Sequence, residues 1–333
     1  MRQEPIPVVV SFPLTEGTRA TIEGASPLVR ILDYPTERIA PGAFRPPPTD
    51  EQVRVLAEAE VLFGSHLDPL AVHDAAPNLK WLQVLTAGLD ELIAQGILKR
   101  DFTITTMSGV GAVTIAEYCM GVMVMLEKDL HETMRDQVEH RWNFHFAGQL
   151  KGQTCGIVGL GAIGRELARR ARAFGMRVVA TRRSAQPGDT DPDVDVLLPS
   201  SELPRLLAES DYVNLCVPLT ADTDGMIGAD EIALMKPSAS IVNIARASVI
   251  DEAALLEALR TERIAGAALD VHDPEPLPED SPFWDLRNAI VTPHRSGSMH
   301  GYFDRAAEFF AENLGRYVRG EPLANVVGRE RGY

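Results

Sequence analysis

The chain has 333 residues, of which 45% are hydrophobic and 24% charged, the usual balance of a soluble globular protein rather than a disordered or fibrous one. Its 47 acidic and 32 basic residues give a net charge of −15, so we expect neither nucleic acid nor a membrane as a partner. The N-terminus has no apolar signal-like stretch, and Val110–Leu126, the most apolar segment, is interrupted by polar residues. This length predicts two domains.

The first third of the chain alternates short β-type runs with helical stretches, which predicts parallel α/β architecture. Helices are predicted at Asp50–Ala59, with Thr49 or Asp50 as the N-cap, and at Leu89–Ala94. Strands are predicted at Pro7–Ser11, Val29–Leu32, Val61–Gly64, Trp81–Leu85 and Thr103–Thr106.

A second α/β series follows a helical junction that begins near residue 113. One long helix is predicted from about Val113 to Val138, followed by an irregular stretch over His140–Leu150. The last helix is predicted at Gly301–Arg319, ending at Gly320. Strands are predicted at Thr154–Val158, Arg177–Ala180, Tyr212–Cys216, Ser240–Ile244, Ala267–Val271 and Ala289–Thr292.

A GxGxxG pattern at Gly159, Gly161 and Gly164 lies between a predicted strand and a predicted helix, which Gly175 ends. Together with the next strand this forms a βαβ unit typical of dinucleotide binding, with the pyrophosphate at the helix N-terminus. The alternatives are a glycine-rich turn that serves only packing and an S-adenosylmethionine site.

The residues after the second strand of this unit indicate the type of dinucleotide. An NAD site usually has Asp or Glu there to accept hydrogen bonds from the ribose hydroxyls, but this chain has Thr181, Arg182, Arg183 and Ser184. Two guanidinium groups and two hydroxyls suit a 2′-phosphate, so we expect NADP, with NAD possible. The alternative is a solvated basic turn.

Three polar residues follow predicted strands of the second series, where parallel sheets place ligands. They are Arg246, Glu275 and His294. Singly they could be a surface ion pair, a solvated loop residue and a loop histidine, but their joint occurrence predicts a catalytic set.

At these residues the chain resembles the D-isomer-specific 2-hydroxyacid dehydrogenases. The resemblance covers most of the chain and implies two Rossmann-like α/β domains, with the cofactor domain inserted into a flavodoxin-like substrate domain. The implied substrate domain is residues 1–112 with 299–333, and the implied cofactor domain is residues 113–298. The matching motifs are Ala87–Asp90, Ala116-Glu117, Gly156–Gly164, Val217–Thr220, Met235–Pro237, Asn243–Asp251, Asp270–Leu277 and Thr292–His294.

The resemblance also implies site residues. Arg246, Glu275 and His294 are the implied catalytic set, and the amides of Ala87, Gly88 and Leu89 join Arg246 and His294 in binding substrate. The implied cofactor contacts include His294 and the four residues from Thr181 to Ser184. The others are Gly159, Gly161, Ala162, Ile163, Gly164, Val217, Pro218, Thr220, Ile244, Ala245 and Asp270.

The chemistry suits these residue types. Arg246 can hold a 2-keto acid through two oxygens, and His294 can donate a proton to the carbonyl oxygen. Glu275 would orient the imidazole and favour its charged form. The family usually has Gly where this chain has Ala247, which could restrict the backbone or narrow the pocket. His272 replaces the family's commoner aromatic residue, and we expect it to have a packing or surface role.

The family also implies a homodimer formed through about Val113–Leu150. Trp142 and Phe144 lie in a loop that often approaches the partner's active site, although ordinary packing is equally compatible. No metal is expected, since His140 and His145 lack ligand spacing. Three separated cysteines, Cys119, Cys155 and Cys216, favour buried thiols and a cytoplasmic location.

These observations predict an enzyme that reduces a small 2-keto acid such as glyoxylate or hydroxypyruvate with NADPH. Glu275 argues against a formate dehydrogenase, which has glutamine there. A phosphoglycerate dehydrogenase is disfavoured because many carry a C-terminal regulatory domain, whereas this chain ends soon after its last helix. A dinucleotide-sensing corepressor is the alternative outside the enzymes, since such proteins can retain the same three residues.

Overall fold

The computed structural model describes residues 3–35, 47–64, 74–330 and 332. The chain divides into two compact units. One unit combines Met1–Val110 with Met299–Tyr333, and the other is the intervening Gly111–Ser298.

The unit built from both chain ends contains a five-stranded parallel sheet in the order β2-β1-β3-β4-β5. This order is that of flavodoxin-like folds. Helix α2 (Asp50–Leu56) begins with a reciprocal capping box in which the Thr49 side chain accepts the Gln52 amide, so Thr49 is the N-cap. The strands are β1 (Ile6–Val10), β2 (Val29–Leu32), β3 (Val61–Phe63), β4 (Trp81–Gln83) and β5 (Thr103–Thr105), and the helices before residue 110 include α1 (Glu16–Glu23), α2 (Asp50–Leu56) and α3 (Asp90–Ala94).

The second unit contains a seven-stranded parallel sheet in the order β12-β11-β10-β9-β6-β7-β8. The chain reverses direction across the sheet between β6 (Thr154–Val158) and β9 (Tyr212–Leu215), the Rossmann-type switch point where dinucleotides bind. The strands are β6 (Thr154–Val158), β7 (Arg177–Thr181), β8 (Val196–Leu198), β9 (Tyr212–Leu215), β10 (Ser240–Asn243), β11 (Gly266–Leu269) and β12 (Ala289–Val291). The helices are α4 (Ala112–Glu127), α5 (Leu130–Val138), α6 (Ala162–Ala173), α7 (Leu203–Glu209), α8 (Ala229–Leu234) and α9 (Glu252–Arg260).

The prediction of one helix over Val113–Val138 was wrong. The segment forms α4 and α5, which are separated at Asp129, whose φ of 48° lies in the left-handed region. Strand β8 was not predicted. All of the predicted strands are present, with small shifts in their ends.

The last helix, α10 (Tyr302–Arg319), returns the chain to the first unit and ends at Gly320, whose φ of 70° suits glycine. Its Phe310 ring stacks on Phe63 with the ring centroids 4.2 Å apart, and both side chains are fully buried with Trp81. The C-terminal segment thereby completes the core of the flavodoxin-like unit.

Candidate active site

The glycine loop at the switch point has three glycines with three different environments. Gly159 has a φ of 102°, and a Cβ there would lie 2.9 Å from the carbonyl oxygen of Cys216. A Cβ at Gly164 would lie 2.5 Å from the carbonyl oxygen of Gly159, whereas one at Gly161 would meet nothing within 4 Å. The first and third glycines therefore permit close backbone packing, and the second leaves open space at the N-terminus of α6. A pyrophosphate fits such a site, with Ala162 and Ile163 in the first helical turn.

Thr181, at the end of β7, faces this glycine loop. Its side chain is buried, its hydroxyl oxygen accepts the Gly159 amide at 3.3 Å, and its carbonyl accepts the Leu160 amide at 2.8 Å. Arg183 and Ser184, in contrast, are exposed. Thr181 therefore holds the glycine loop in place, in addition to the predicted role of its hydroxyl in binding the 2′-phosphate.

Arg182 is held by Asp191, an acid that no sequence motif singles out. Its Nη1 lies 3.2 Å from Oδ2 of Asp191, which also receives two bonds of 2.7 and 2.9 Å from Arg165. The hydrogen bond from Arg165 is the largest cause that lowers the pKa of Asp191 below its usual 3.8, and the charge of Arg182 adds to it. The Arg182 Nε is buried with no hydrogen-bond partner among the described residues. The acid-rich run 189–193, just after the two arginines, was the available signal.

The loop after β10 presents Arg246. The Asn243 side chain accepts the Ala245 amide at 3.0 Å and donates to the Arg246 carbonyl at 2.9 Å, so one buried amide fixes the turn. The Arg246 Nη1 donates to the Ala245 carbonyl at 2.7 Å. Ala247 begins a short 3-10 turn, a conformation that alanine adopts freely. The replacement of glycine there does not strain the backbone.

Two other predicted cofactor segments follow the neighbouring strands. Ile244 and Ala245 are buried at the end of β10. After β9, Val217 lies beside the glycine loop, where its Cγ1 would be 2.9 Å from a Cβ at Gly159. Pro218 and Thr220 lie in a turn closed by Thr223, whose hydroxyl donates to the Pro218 carbonyl at 2.7 Å.

Glu275 and His294 form a hydrogen-bonded pair. The Nδ1 of His294 lies 2.8 Å from Oε2 of Glu275, whose other oxygen accepts the His272 amide at 3.0 Å. Half of the His294 side chain is exposed, and its Nε2 has no hydrogen-bond partner among the described residues. The His272 ring lies 3.2 Å from the Thr292 carbonyl oxygen. The carboxylate therefore fixes the His294 ring and leaves Nε2 available.

Asp270 is fully buried beneath the His294 loop. Its carboxylate accepts the Thr292 hydroxyl at 2.6 Å and the amides of Arg295 and Ser296 at 2.8 Å each. Three of about four acceptor positions are thus occupied. Asp270 is predicted to contact the cofactor, and in the structure it also holds the loop that carries His294.

The predicted substrate segment Ala87–Leu89 lies in the other unit, after β4. Ala87 is exposed, Gly88 is half-buried and accepts the Thr86 hydroxyl at 2.7 Å through its carbonyl, and the Leu89 side chain is buried in the core. A ligand could therefore contact the backbone groups of this turn and the small Ala87 side chain, but not the buried Leu89 side chain.

Residues 140–149 contain neither helix nor strand and expose large apolar side chains. Trp142 is 99% exposed, Phe146 92% and Phe144 77%. Within the described ranges, no group of three or more His, Cys, Asp or Glu side chains could hold a metal ion. No helix in the described part of the chain is long and apolar enough to cross a membrane.

Comparison with known proteins agrees with this geometry. The model of the NAD-binding domain of D-isomer specific 2-hydroxyacid dehydrogenases matches residues 120–296, inside the second unit. A glyoxylate reductase of Korarchaeum cryptofilum is 34% identical over 86% of this chain and 87% of its own length. A D-3-phosphoglycerate dehydrogenase of Methanocaldococcus jannaschii is also 34% identical, over 77% of this chain and 49% of its own. A D-isomer specific 2-hydroxyacid dehydrogenase of Xanthobacter autotrophicus Py2, solved with NADPH and MES, has a TM-score of 0.82 and 30% identity, covering 99% of this chain and 100% of that one.

Proposed function

The chain belongs to the D-isomer-specific 2-hydroxyacid dehydrogenases, a family of NAD(P)-dependent oxidoreductases, and we propose that it reduces a small 2-keto acid to a D-2-hydroxy acid with NADPH. The observation that carries this proposal is the 2.8 Å pair between Glu275 and His294. This pair follows β11 and β12, at the same edge of the sheet where Arg246 follows β10. An acid–base group and an anion-binding group thus share the ligand-binding edge of one sheet.

Each of the three residues has a role that its contacts support. Arg246 would bind the carboxylate and the keto oxygen of the substrate through its planar guanidinium. The hydrogen bonds of the Asn243 side chain fix the turn that carries Arg246. His294 would donate a proton from Nε2 to the keto oxygen. Glu275 would keep the ring in place through Nδ1, so that the proton is held at the reacting atom.

The glycine loop and the start of α6 would hold the pyrophosphate of the cofactor. Gly161 is the best-supported of these contacts. No protein atom lies within 4 Å of the position that a Cβ would take there, so a phosphate can approach the backbone. When bound, the nicotinamide cofactor supplies the hydride. We propose that residues 113–298 form this cofactor domain and that residues 1–112 with 299–333 form the substrate domain.

The preference for NADPH is proposed from Arg182 and Arg183. Residues 182–184, directly after β7, include no carboxylate to accept the ribose hydroxyls, and two cations follow Thr181 instead. Since Arg182 already contacts Asp191, its contribution to binding a 2′-phosphate is smaller than that of an uncommitted guanidinium. NAD would then be a weaker cofactor rather than an excluded one.

Glyoxylate and hydroxypyruvate are the proposed substrates. The name of the relative from Korarchaeum supports glyoxylate, and Arg246 suits any small 2-keto acid. The test is NADPH oxidation with glyoxylate, hydroxypyruvate, pyruvate and 3-phosphohydroxypyruvate. We expect the first two to have the highest kcat/KM, and His294→Ala to lower kcat by about 10²–10⁴-fold with an unchanged Kd for NADPH. Absence of turnover with all four acids would contradict the proposal.

We also propose a homodimer formed through α4, α5 and residues 140–149. Trp142, Phe144 and Phe146 are the reason, because such large apolar side chains rarely stand together in water. A cytoplasmic location is proposed from the three free cysteines.

A further inference from the structure

The loop that carries His294 is held from both sides by one carboxylate. Asp270 accepts the hydroxyl of Thr292, two residues before His294, and the amides of Arg295 and Ser296 directly after it. His294 itself has a φ of 46°, in the left-handed region that residues other than glycine seldom adopt. The surrounding contacts must therefore maintain this conformation.

A third side chain extends this arrangement into helix α4. The Tyr118 hydroxyl lies 2.7 Å from Oγ1 of Thr292. Thr292 has a single hydroxyl proton, and the 2.6 Å bond to the Asp270 carboxylate uses it. Tyr118 must therefore be the donor, and the order of donation is Tyr118 to Thr292 to Asp270.

We propose that Tyr118 is a positioning residue for the reaction, acting through Thr292 and Asp270 on the loop that aims His294. The proposal rests on the proposed function of His294. Nothing in the sequence motifs assigned a role to Tyr118, which lies 174 residues from Thr292.

The chemistry of Tyr118 suits a permanent donor. Burial raises the pKa of Tyr118 to about 12, so the hydroxyl keeps its proton across the range in which a reductase works. A donor to Thr292 polarises the Thr292 hydroxyl, which strengthens its bond to Asp270. Loss of this donor should loosen the grip on the Arg295 and Ser296 amides.

The test compares Tyr118→Phe, Thr292→Val and Thr292→Ser with a matched control, Tyr212→Phe. Tyr212 also lies in the second unit and donates a short bond, to Glu127 at 2.6 Å, but it does not contact the His294 loop. Two properties are measured in each variant, kcat with the best 2-keto acid and hydrogen exchange of a peptide covering residues 292–298. The Kd for NADPH and the unfolding midpoint are recorded alongside them.

We expect Tyr118→Phe to lower kcat about threefold to tenfold and Thr292→Val about tenfold to a hundredfold, with the Kd for NADPH changed by less than about twofold. Both variants should speed exchange at Arg295 and Ser296. Thr292→Ser should restore most of the kcat lost in Thr292→Val, because it keeps the hydroxyl. Tyr212→Phe should leave kcat and loop exchange unchanged, whatever it does to stability.

The proposal is overturned if Tyr118→Phe leaves either kcat or loop exchange at the wild-type value, or if Tyr212→Phe changes both equally. A wild-type protein that turns over no 2-keto acid would refute the proposed function. Exchange at Arg295 and Ser296 would then still decide whether Tyr118 holds the loop.

Discussion

Replacing Arg182 with alanine would isolate the contribution of one guanidinium to the choice between NADPH and NADH. The substitution removes the 3.2 Å contact to Asp191. Asp191 nevertheless keeps its two shorter bonds to Arg165 and the bond from the Asp193 amide at 3.1 Å. Because no acid is left unpaired, we expect little loss of stability.

The size of the effect follows from how Arg182 is held. A hydrogen bond to a charged group contributes about 1.5–3 kcal/mol. The Arg182 Nε is buried and its Nη1 is shared with Asp191, so a phosphate would meet a single-point contact rather than a bidentate one. The side chain is also 30% exposed, which adds screening by water and salt. The lower end of the range therefore applies, and Arg182→Ala should weaken NADPH binding about tenfold.

The assay is fluorescence titration with NADPH and NADH at low and high salt. Arg182→Ala should weaken NADPH and leave NADH within about twofold, and the difference should shrink at high salt. Arg169→Ala is the matched control, because Arg169 also pairs with acidic side chains, Asp193 and Glu166, but lies five residues beyond Gly164 in α6. Equal affinities for both cofactors in the wild-type protein, or equal weakening of both by Arg182→Ala, would refute this reasoning.

Most of the fold could be predicted because its signals are local. Strands such as Thr154–Val158 are short apolar runs, and the GxGxxG pattern directly follows one of them. Strand β8 escaped prediction because Val196–Leu198 has only three residues at the end of a proline- and aspartate-rich stretch. The break between α4 and α5 escaped because neither Gly nor Pro marks it, and the left-handed residue is Asp129.

Within the candidate site, only the residues that follow predicted strands could be predicted from the sequence. Arg246, Glu275 and His294 were visible in this way, and the structure brings the last two into contact while their roles stay predictions. The supporting residues were not predicted, because their roles depend on side-chain contacts that form only in the fold. Asp191 meets Arg165 across 26 residues. Asn243 was seen only as the start of a motif, and its clamp on the Arg246 turn depends on side-chain geometry.

Three further predictions test Arg246, the proposed homodimer and the carboxylate of Asp191. Arg246→Lys should raise the KM of the keto acid and lower kcat together, because an ammonium cannot reproduce a planar two-point contact; full activity would make Arg246 a structural residue. Sedimentation should give a dimer at micromolar concentration, which Trp142→Ser with Phe146→Ser should dissociate; a wild-type monomer would contradict the proposed interface. The last prediction concerns Asp191, whose pKa lies below its usual 3.8 chiefly because Arg165 donates hydrogen bonds to it. A carboxyl with a lowered pKa in the folded state stabilises the fold above its unfolded pKa, and this stabilisation disappears as the pH falls through the folded value. Asp191→Asn should therefore lower the unfolding midpoint at pH 7, and the deficit should shrink steadily below about pH 4. The exposed Asp222→Asn is the surface control, and a deficit for Asp191→Asn that stayed constant down to low pH would mean that its charge does not stabilise the fold.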